Sequence, residues 1–568
     1  MNLYYLTLLP LVLALSFSIK EDFPWINEDT KQNIVKATTH SQSLTNARKN
    51  WKITVRGKVH SRGKGIPNVV VSDGYLVTKT DQGGFYQLAS NKHNGYIFIS
   101  PPGDYEVPTK QTVPQFFQQL SSSAFDVEVK DFELYPSTGG KHVMAFLADM
   151  HLAKRNEDLE QFQRGFIKDI QELAAAYKAN DTKFYALTLG DQSWDAYWYK
   201  NNFGLPEYLA QLQVLDFPIF NTIGNHDNDP YVANDWLSEV PYRRVLGPTY
   251  YSFNIGEAHY VVLDNVVFKN HGGAPGTVGD RDYNVEITEN QIAWLKKDLA
   301  MLPDKHTPII LAMHIPMHSN PKLGATHTVI KNASALQDCL QSFENVKIFT
   351  GHTHINYRVT DSESTLQEYN IGAVCATWWW TGRKNSAGNH ICKDGSPGGY
   401  AVMETDARKQ VTFYKSIGFS KDYQFRSYDL NTIHITAEEF TPKANHIHQK
   451  MVQEYAGNYA NANKSNEILL NIWGYRKGWK IAVKENGKLL TVKQVHQKDP
   501  LHVISYTMGR LNANATPTPA FVSANTSHLF LSKATKPNTT LEISVTDDQG
   551  QVFTETMTRP KTFSYNIH

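Results

Sequence analysis

Short apolar segments that each end in a polar motif place the strongest constraint on the fold of this chain. Residues 217–223 are mostly apolar and predict a buried strand, which runs directly into Gly224-Asn225-His226-Asp227. Four other apolar segments end in a comparable way. The motifs that follow them are Asp149-Met150-His151, Gly190-Asp191, His314 and Gly351-His352-Thr353-His354. Because ligands bind at the carboxyl ends of strands in open α/β sheets, we expect these motifs to meet at one sheet edge.

The segments that carry the motifs alternate with helical patterns. Residues 143–148 and 184–189 are continuous apolar segments, as is typical of strands buried on both faces. Residues 157–177 and 288–300 have apolar residues at helical spacing. Alternating strands and helices indicate a layered α/β domain. We predict that it spans residues 139–421.

The side chains in these motifs are carboxylates, imidazoles and one amide, with no thiolate among them. Such donors suit Mn, Fe or Zn. Two divalent ions about 3.5–4 Å apart can clamp a phosphate and activate a water molecule. Asp191 is the predicted bridge between the ions, because it lies in the middle of the series and follows a glycine.

The five motifs match the pattern D-x-H, G-D, G-N-H-[DE], H and G-H-x-H without substitution. The chain therefore resembles the calcineurin-like metallophosphoesterase family, and the resemblance implies a central αββα sandwich. It implies one metal held by Asp149, His151, Asp191 and His354. It implies a second metal held by Asp191, Asn225, His314 and His352. The same resemblance implies that His226 protonates the leaving group while Asp227 orients the His226 imidazole.

Strand patterns flank this domain on both sides. Residues 51–138 consist of short alternating segments separated by Gly and Asp turns, which predict a β-sandwich. They resemble transthyretin-type, carboxypeptidase regulatory-like modules. Residues 422–568 predict a second β-rich domain, which we interpret as a second β-sandwich. The three blocks together resemble exported bacterial members of the family, of the Bacteroidetes type.

The N-terminus predicts export. Residues 3–17 are almost wholly apolar, which suits a signal peptide over residues 1–18, followed by a linker or leader over residues 19–50. No Lys or Arg precedes the apolar segment, so an uncleaved anchor or a misplaced start codon is the alternative. The mature chain has no other apolar segment of membrane length. We expect a periplasmic or extracellular protein, in which Cys375 and Cys392 either form a disulfide or remain thiols.

A Trp-rich segment follows the last motif and could reach back over the site. Trp378, Trp379 and Trp380 are adjacent, so they cannot all point to one face of a strand. We predict that one or more of them binds substrate, and packing against a neighbouring domain is the alternative. Arg383 is a candidate phosphate contact, or else a solvated loop charge.

These features predict an exported phosphoesterase with a dinuclear metal centre. A metal-bound hydroxide would attack phosphorus, with His226 as the general acid. The Trp-rich segment favours a phosphodiester or a sugar or headgroup phosphate as substrate. The alternatives are a phosphomonoesterase or nucleotidase and, more remotely, a non-catalytic binding protein. The net charge is only +1, so a nucleic-acid polymer is not expected as a partner.

Overall fold

The computed structural model of the protein describes residues 52–137, 140–360, 365–381 and 390–564. The predicted signal peptide at residues 1–18 and the predicted leader at residues 19–50 lie outside these residues. Among the helices within the described ranges, none is long and apolar enough to cross a membrane.

Two β-sheets face each other in the central part of the chain. The strand order of the first sheet is Ile219–Phe220, Lys183–Thr188, Lys141–Leu147, Gly399–Asp406 and Lys409–Ser416. The order of the second is Tyr251–Ile255, Ala258–Val262, Ile309–Ala312, Val346–Thr350, Leu366–Asn370 and Tyr357–Thr360. The Phe146 and Phe349 rings stack across the interface with their centroids 3.6 Å apart. The centre of the core therefore lies between the sheets.

Parallel strands form the middle of both sheets. The first three strands of the first sheet are parallel to one another. In the second sheet, the four strands from Ala258–Val262 to Leu366–Asn370 are parallel. The loops that follow the two sheets meet, since the backbone N–H of His352 donates to Asp149 Oδ2 at 2.8 Å. The carboxyl ends of both sets of strands thus converge.

Helices cover the outer faces of the two sheets. Ile170 and Ala174 pack with Val143 and Phe184 of the first sheet. The second sheet is covered by a helix in which Ile292, Leu295 and Leu299 are buried at helical spacing, and the Thr288 side chain caps its N-terminus. The helices are Asp158–Gln161, the π-helical Phe162–Ile167, Lys168–Lys178, Leu205–Gln211, Asp235–Ser238, Val240–Leu246, Glu289–Leu299 and Ala333–Leu340. The short turn Asp195–Tyr197 is 3₁₀-helical. This arrangement is the expected αββα sandwich.

The N-terminal region is strand-rich, as predicted. One sheet contains Val55–Ser61, Lys64–Gly65, Phe85–Leu88, Glu128–Val129 and Phe132–Glu133. The other has the order Phe117–Gln119, Tyr96–Ser100, Val70–Ser72 and Val77–Lys79. Two-stranded pairs join Tyr105–Glu106 to Tyr135–Pro136, Thr109–Lys110 to Val113–Pro114 and, in the central domain, Val266–Phe268 to Tyr283–Val285. The apolar core of the N-terminal region is continuous with the core of the second central sheet. At this boundary Phe116 packs on Tyr251, with ring centroids 4.5 Å apart.

The C-terminal region combines two four-stranded sheets with several helices. The first sheet contains Arg426–Asp429, Glu467–Asn471, Thr526–Lys533 and Val492–Gln497. The second contains Lys488–Leu490, Lys480–Glu485, Leu541–Thr546 and Val552–Met557. The helical elements are Leu430–Thr432, Ala437–Phe440, His446–Ala456, Gly457–Ala460, Pro500–His502, Val503–Met508, Gly509–Asn512 and Pro519–Phe521. These helices were not predicted, although the caps Asn445 and Asp499 mark two of their starts in the sequence.

Candidate metal-binding site at the sheet edge

Each predicted motif lies just beyond the carboxyl end of a strand, and the structure brings all five together. The loops are joined by backbone hydrogen bonds from Asp149 to Gly190 and from His151 to Asp191. Five of the predicted metal ligands have left-handed backbone conformations, with φ between 44° and 68°: Asp149, His151, Asp191, His352 and His354. Such conformations cost about 1–3 kcal/mol each and cluster at functional sites. The rest of the fold therefore holds these side chains in place against local preference.

Four side chains converge in what we call the first half-site: Asp149, His151, His354 and Asp191. The Nε2 atoms of His151 and His354 are 3.0 Å apart. Asp149 Oδ1 lies 3.7 Å from His151 Nε2 and 3.4 Å from His354 Nε2. Asp191 Oδ2 lies 3.5 Å from His151 Nε2. All four side chains are buried. The first predicted ligand set therefore occupies one compact space.

A second set converges on the other side of Asp191, and we call it the second half-site: Asp191, Asn225, His314 and His352. His314 Nε2 lies 3.2 Å from Asp191 Oδ2 and 3.0 Å from Asn225 Oδ1. His352 Nδ1 lies 3.0 Å from Asn225 Oδ1. The same oxygen, Asp191 Oδ2, faces both half-sites. Asp191 is thus placed where a bridging carboxylate would have to be.

The donor set fits divalent cations. His314 Nδ1 and His354 Nδ1 donate to the carbonyls of Leu189 and Ala376 at 2.7 and 2.5 Å, which leaves each Nε2 lone pair directed at the cluster. Within the described part of the chain, Asp149 Oδ1 is buried without a hydrogen-bond partner. Carboxylate oxygens and imidazole nitrogens buried this close together need either shared protons or a positive charge between them. The arrangement therefore suits metal ions in both half-sites.

The electrostatics of the cluster agree with this view. Burial lowers the pKa of His151 to about 4 and that of His352 to about 3, so both imidazoles stay neutral and keep a lone pair. Burial also opposes the protonation of His314, but the adjacent Asp191 carboxylate raises the pKa of His314 to about 9. Without a cation, this pocket attracts a proton. A metal ion would take the place of that proton.

His226 lies beside the first half-site, but the expected role of Asp227 is wrong. One ring nitrogen of His226 lies within 4.8 Å of ligand atoms of His151 and Asp191. Its Nδ1 hydrogen-bonds Asp195 Oδ1 at 2.7 Å, and Asp195 is fully buried. Burial lowers the pKa of His226, but the charges of Asp191 and Asp195 outweigh that effect and raise it. Asp195, not Asp227, therefore orients the imidazole.

Asp227 instead organises the loop backbone. Its carboxylate accepts N–H groups from Asp191 at 2.7 Å, Gly224 at 2.9 Å, Gln192 at 3.0 Å and Ser193 at 3.3 Å. Adjacent residues in a turn project in different directions, so sequence proximity to His226 did not imply contact. The signal for Asp195 was its place four residues after Asp191, a spacing that the sequence alone did not distinguish from a surface loop.

The three tryptophans have three different environments. Trp378 stacks on His354 with ring centroids 3.8 Å apart and on Phe521 with centroids 4.0 Å apart, so both of its faces are covered. Trp379 is 2 % exposed and donates to the Met150 carbonyl. The guanidinium groups of Arg155 and Arg510 lie 5.8 and 5.1 Å from the Trp380 ring. Trp378 therefore packs against the C-terminal region, as the packing alternative states, whereas Trp379 packs on Phe162 within the central domain. Arg383 lies outside the described residues.

The cysteines are not cross-linked in the described part of the chain. Cys375 and Cys392 are free, fully buried thiols, so the disulfide alternative is wrong. Burial raises the pKa of both thiols well above the usual range, which keeps them protonated. Cys375 Sγ lies 3.8 Å from His354 Nδ1 and supports that ligand from behind.

An αββα sandwich with this His/Asp cluster at its sheet edge defines a metal-dependent phosphoric ester hydrolase. The family model described as calcineurin-like phosphoesterase matches residues 142–356. Models for the N-terminal and C-terminal parts of calcineurin-like phosphoesterase match residues 53–137 and 368–553. The chain belongs to the calcineurin-like phosphoesterase family.

Curated relatives match parts of the chain. Tartrate-resistant acid phosphatase type 5 of Oryctolagus cuniculus is 26 % identical over 228 residues, which are 38 % of this chain and 68 % of the relative. 3',5'-Cyclic adenosine monophosphate phosphodiesterase CpdA of Escherichia coli is 32 % identical over 135 residues, 23 % of this chain and 41 % of the relative. A solved putative 5'-nucleotidase from Staphylococcus aureus is 11 % identical, with a TM-score of 0.31, and the match covers 73 % of this chain and 89 % of that one.

Proposed function

We propose that this protein hydrolyses phosphate esters at the two half-sites, with phosphodiesters or sugar and headgroup phosphates as preferred substrates. The observation that carries the proposal is the convergence of both half-sites on Asp191 Oδ2, with the His226 ring beside them. Asp149, His151 and His354 would hold one divalent ion together with Asp191. Asn225, His314 and His352 would hold the other.

The ions would be Mn, Fe or Zn, and when bound they would neutralise phosphoryl oxygens and activate a water molecule. The remaining chemistry belongs to the chain. His226 Nδ1 donates to Asp195, so the other ring nitrogen, Nε2, is the atom that would hold a proton for the leaving-group oxygen. The buried Asp195 carboxylate orients that imidazole and stabilises its charged form.

A phosphomonoesterase or nucleotidase is the second candidate, and Arg281 favours it. Arg281 Nη1 lies 3.2 Å from Asp195 Oδ1, and the Arg281 side chain is 36 % exposed. A guanidinium group next to the general acid would attract a dianionic monoester more strongly than a monoanionic diester.

The preference for diesters rests on the aromatic residues around the site. The second substituent of a diester could contact the surface that these residues form.

We also propose that the protein is exported to the periplasm or the extracellular space. The apolar segment at residues 3–17 supports this proposal. Fractionation of the native host, combined with N-terminal sequencing of the mature chain, tests it. A mature chain that begins near residue 19 is expected, and a chain that retains residues 1–18 in the cytoplasm would contradict it.

The function is tested by hydrolysis of para-nitrophenyl phosphate and bis-para-nitrophenyl phosphate with the full chain loaded with Mn. We expect both esters to react and the diester to have the higher kcat/KM. A higher value for the monoester would select the second candidate. Purified protein that contains no transition metal and hydrolyses neither ester with added Mn would favour the non-catalytic binding protein instead.

A further inference from the structure

Two aromatic side chains from distant parts of the chain meet beside His226. Trp194 lies in the loop that begins at Asp191, and its ring centroid is 6.1 Å from that of His226. Phe521 lies in the C-terminal 3₁₀ turn Pro519–Phe521, and its ring centroid is 6.4 Å from that of Trp194. Both side chains are partly exposed. Part of each residue is therefore accessible to solvent, in a cluster of rings that also contains His226.

The position of Phe521 is well determined by its neighbours. One face of its ring stacks on Trp378 at an interplanar angle of 13°, and Trp378 in turn stacks on His354 at 14°. Lys393 Nζ donates to the Ala520 carbonyl at 3.2 Å, and the Phe521 N–H donates to the Thr518 carbonyl at 2.9 Å. Phe521 is thus held at a set distance from the first half-site before any substrate arrives.

Trp194 is held in a comparable way. The guanidinium of Arg155 lies 5.0 Å from the Trp194 ring and 4.5 Å from the Tyr197 ring. Arg155 Nη1 also donates to the Tyr197 hydroxyl at 2.7 Å. Trp194 is therefore backed by a cation and a second ring, and it lies between His226 and Phe521.

We propose that Trp194 and Phe521 form a subsite for the leaving group, and that this subsite selects leaving groups with a flat or apolar ring face. The inference rests on the proposed function, because a leaving group is placed next to Trp194 if His226 protonates its oxygen. The shared chemistry is a ring that stacks or packs on an aromatic side chain, as in an aryl group, a nucleobase or one face of a sugar. Trp378 cannot take this role, since its two faces are already covered.

The first experiment measures binding rather than turnover. Phenylphosphonate and methylphosphonate carry the same charged group and are not hydrolysed. Calorimetry on the Mn-loaded full chain should show about tenfold tighter binding of phenylphosphonate. Phe521→Ala and Trp194→Ala should each remove most of that preference, and Phe521→Tyr should retain it. Equal binding of the two phosphonates by the wild-type protein would overturn the proposal.

The second experiment compares phosphate esters whose leaving groups are para-nitrophenol, a hexose and glycerol. Phe521→Ala should lower kcat/KM about ten- to a hundredfold for a ring leaving group, mainly through KM, and less than about twofold for glycerol. If Phe521→Ala lowers kcat/KM only for the para-nitrophenol ester, the subsite binds planar rings. If it also lowers kcat/KM for the hexose ester, the subsite binds apolar ring faces in general. Inhibition by inorganic phosphate should not change.

Phe521 also supports His354 through Trp378, and the controls separate the two roles. If Phe521 acted only as a support, Phe521→Ala would lower metal content and slow all three esters equally, and that result would overturn the subsite. Trp236→Ala is the matched control, because Trp236 is 41 % exposed and packs on His93 of the N-terminal region. If the wild-type protein hydrolysed no ester at all, the proposed function would fail. The binding of phenylphosphonate relative to methylphosphonate would still show whether the site prefers a ring.

Discussion

The two half-sites share Asp191 but are built from different parts of the molecule. In the second half-site, every ligand comes from a loop at the edge of the two central sheets, and the Leu189 carbonyl orients His314. In the first, His354 is oriented by the Ala376 carbonyl and covered by Trp378, which rests on Phe521 of the C-terminal region. The contacts that orient His314 therefore come from the central domain, while the ring that covers His354 rests on a residue more than a hundred positions further along the chain.

The N-terminal and C-terminal strand-rich regions differ in how they contact the central domain. The N-terminal region shares an apolar core with the second central sheet and with the helix Glu289–Leu299 that covers it, through contacts such as Trp294 of this helix against Phe98. Buried polar contacts join the C-terminal region to the loop that carries Trp378 and to Asp394 further along the chain. Thr377 Oγ1 lies 2.9 Å from His502 Nε2, and His528 Nε2 lies 3.1 Å from Asp394 Oδ2. Apolar packing supports the fold, whereas directional polar bonds also set the position of the loop next to the metal site.

The largest effect is expected from Asp191→Asn, which affects both half-sites together. Loss of the bridging charge should reduce metal content from about two ions per chain to less than one and reduce kcat by about 10⁴-fold or more. Elemental analysis and ester hydrolysis measure the two effects, with circular dichroism to establish folding. A variant that kept two ions would show that the half-sites do not depend on a shared carboxylate.

His354→Ala and His314→Ala should separate the half-sites. Each variant removes one buried nitrogen from one half-site, so each should retain about one ion per chain and lose about 10³-fold in kcat. Loss of both ions from either variant would mean that the two half-sites bind metal only together. His306→Ala is a suitable control, because His306 is exposed and pairs with Glu344 at the surface.

His226→Ala should separate catalysis from metal binding. His226 faces the first half-site without belonging to either ligand set, so metal content should be unchanged while kcat falls at least about a hundredfold. The fall should be smaller for para-nitrophenyl esters than for alkyl esters, since para-nitrophenolate leaves with little help from an acid. An equal loss for both leaving groups would argue against His226 as the proton donor.

The smallest effects are expected from two neighbouring carboxylates. Asp195→Asn should reduce kcat about 10- to 100-fold without loss of metal or stability, because an amide oxygen can still accept from the His226 ring and from Arg281 while the negative charge is lost. Asp227→Asn should instead lower the free energy of unfolding by about 1–3 kcal/mol, because an amide nitrogen would face backbone N–H groups. Urea unfolding and single-turnover kinetics on both variants measure the difference. The reverse pattern would restore the original assignment of Asp227.

Much of the site could be predicted because its chemistry is local in sequence. The seven predicted metal ligands all follow apolar segments, and a parallel sheet brings the carboxyl ends of its strands to one edge whatever the loops between them. The partner of His226 could not be predicted in the same way. Both Asp195 and Asp227 lie close to ligands in the sequence, and only the direction of each side chain decides which one touches the ring.

The environments of Trp378, Trp379 and Trp380 in the Trp-rich segment could not be predicted from the sequence either. Its aromatic residues indicate a special environment, but adjacent positions lead to different neighbours, and Trp378 and Trp379 have left-handed backbone conformations that no strand or helix pattern describes. Phe521 stacks on Trp378, and the two residues are 143 positions apart in the sequence. No local pattern contains information about such a contact.

The sequence by itself determined the fold class, the order of the strand-rich and α/β regions, and the set of side chains that face the candidate metals. The fold class and the order of the regions follow from short-range periodicity, whereas the set of ligands is what the resemblance of the five motifs to a known family implies. Only the tertiary structure decided which carboxylate orients His226 and which rings line the space beside it. Those features depend on contacts between loops that are distant in sequence, and such contacts are set by how whole sheets and domains pack rather than by any single segment.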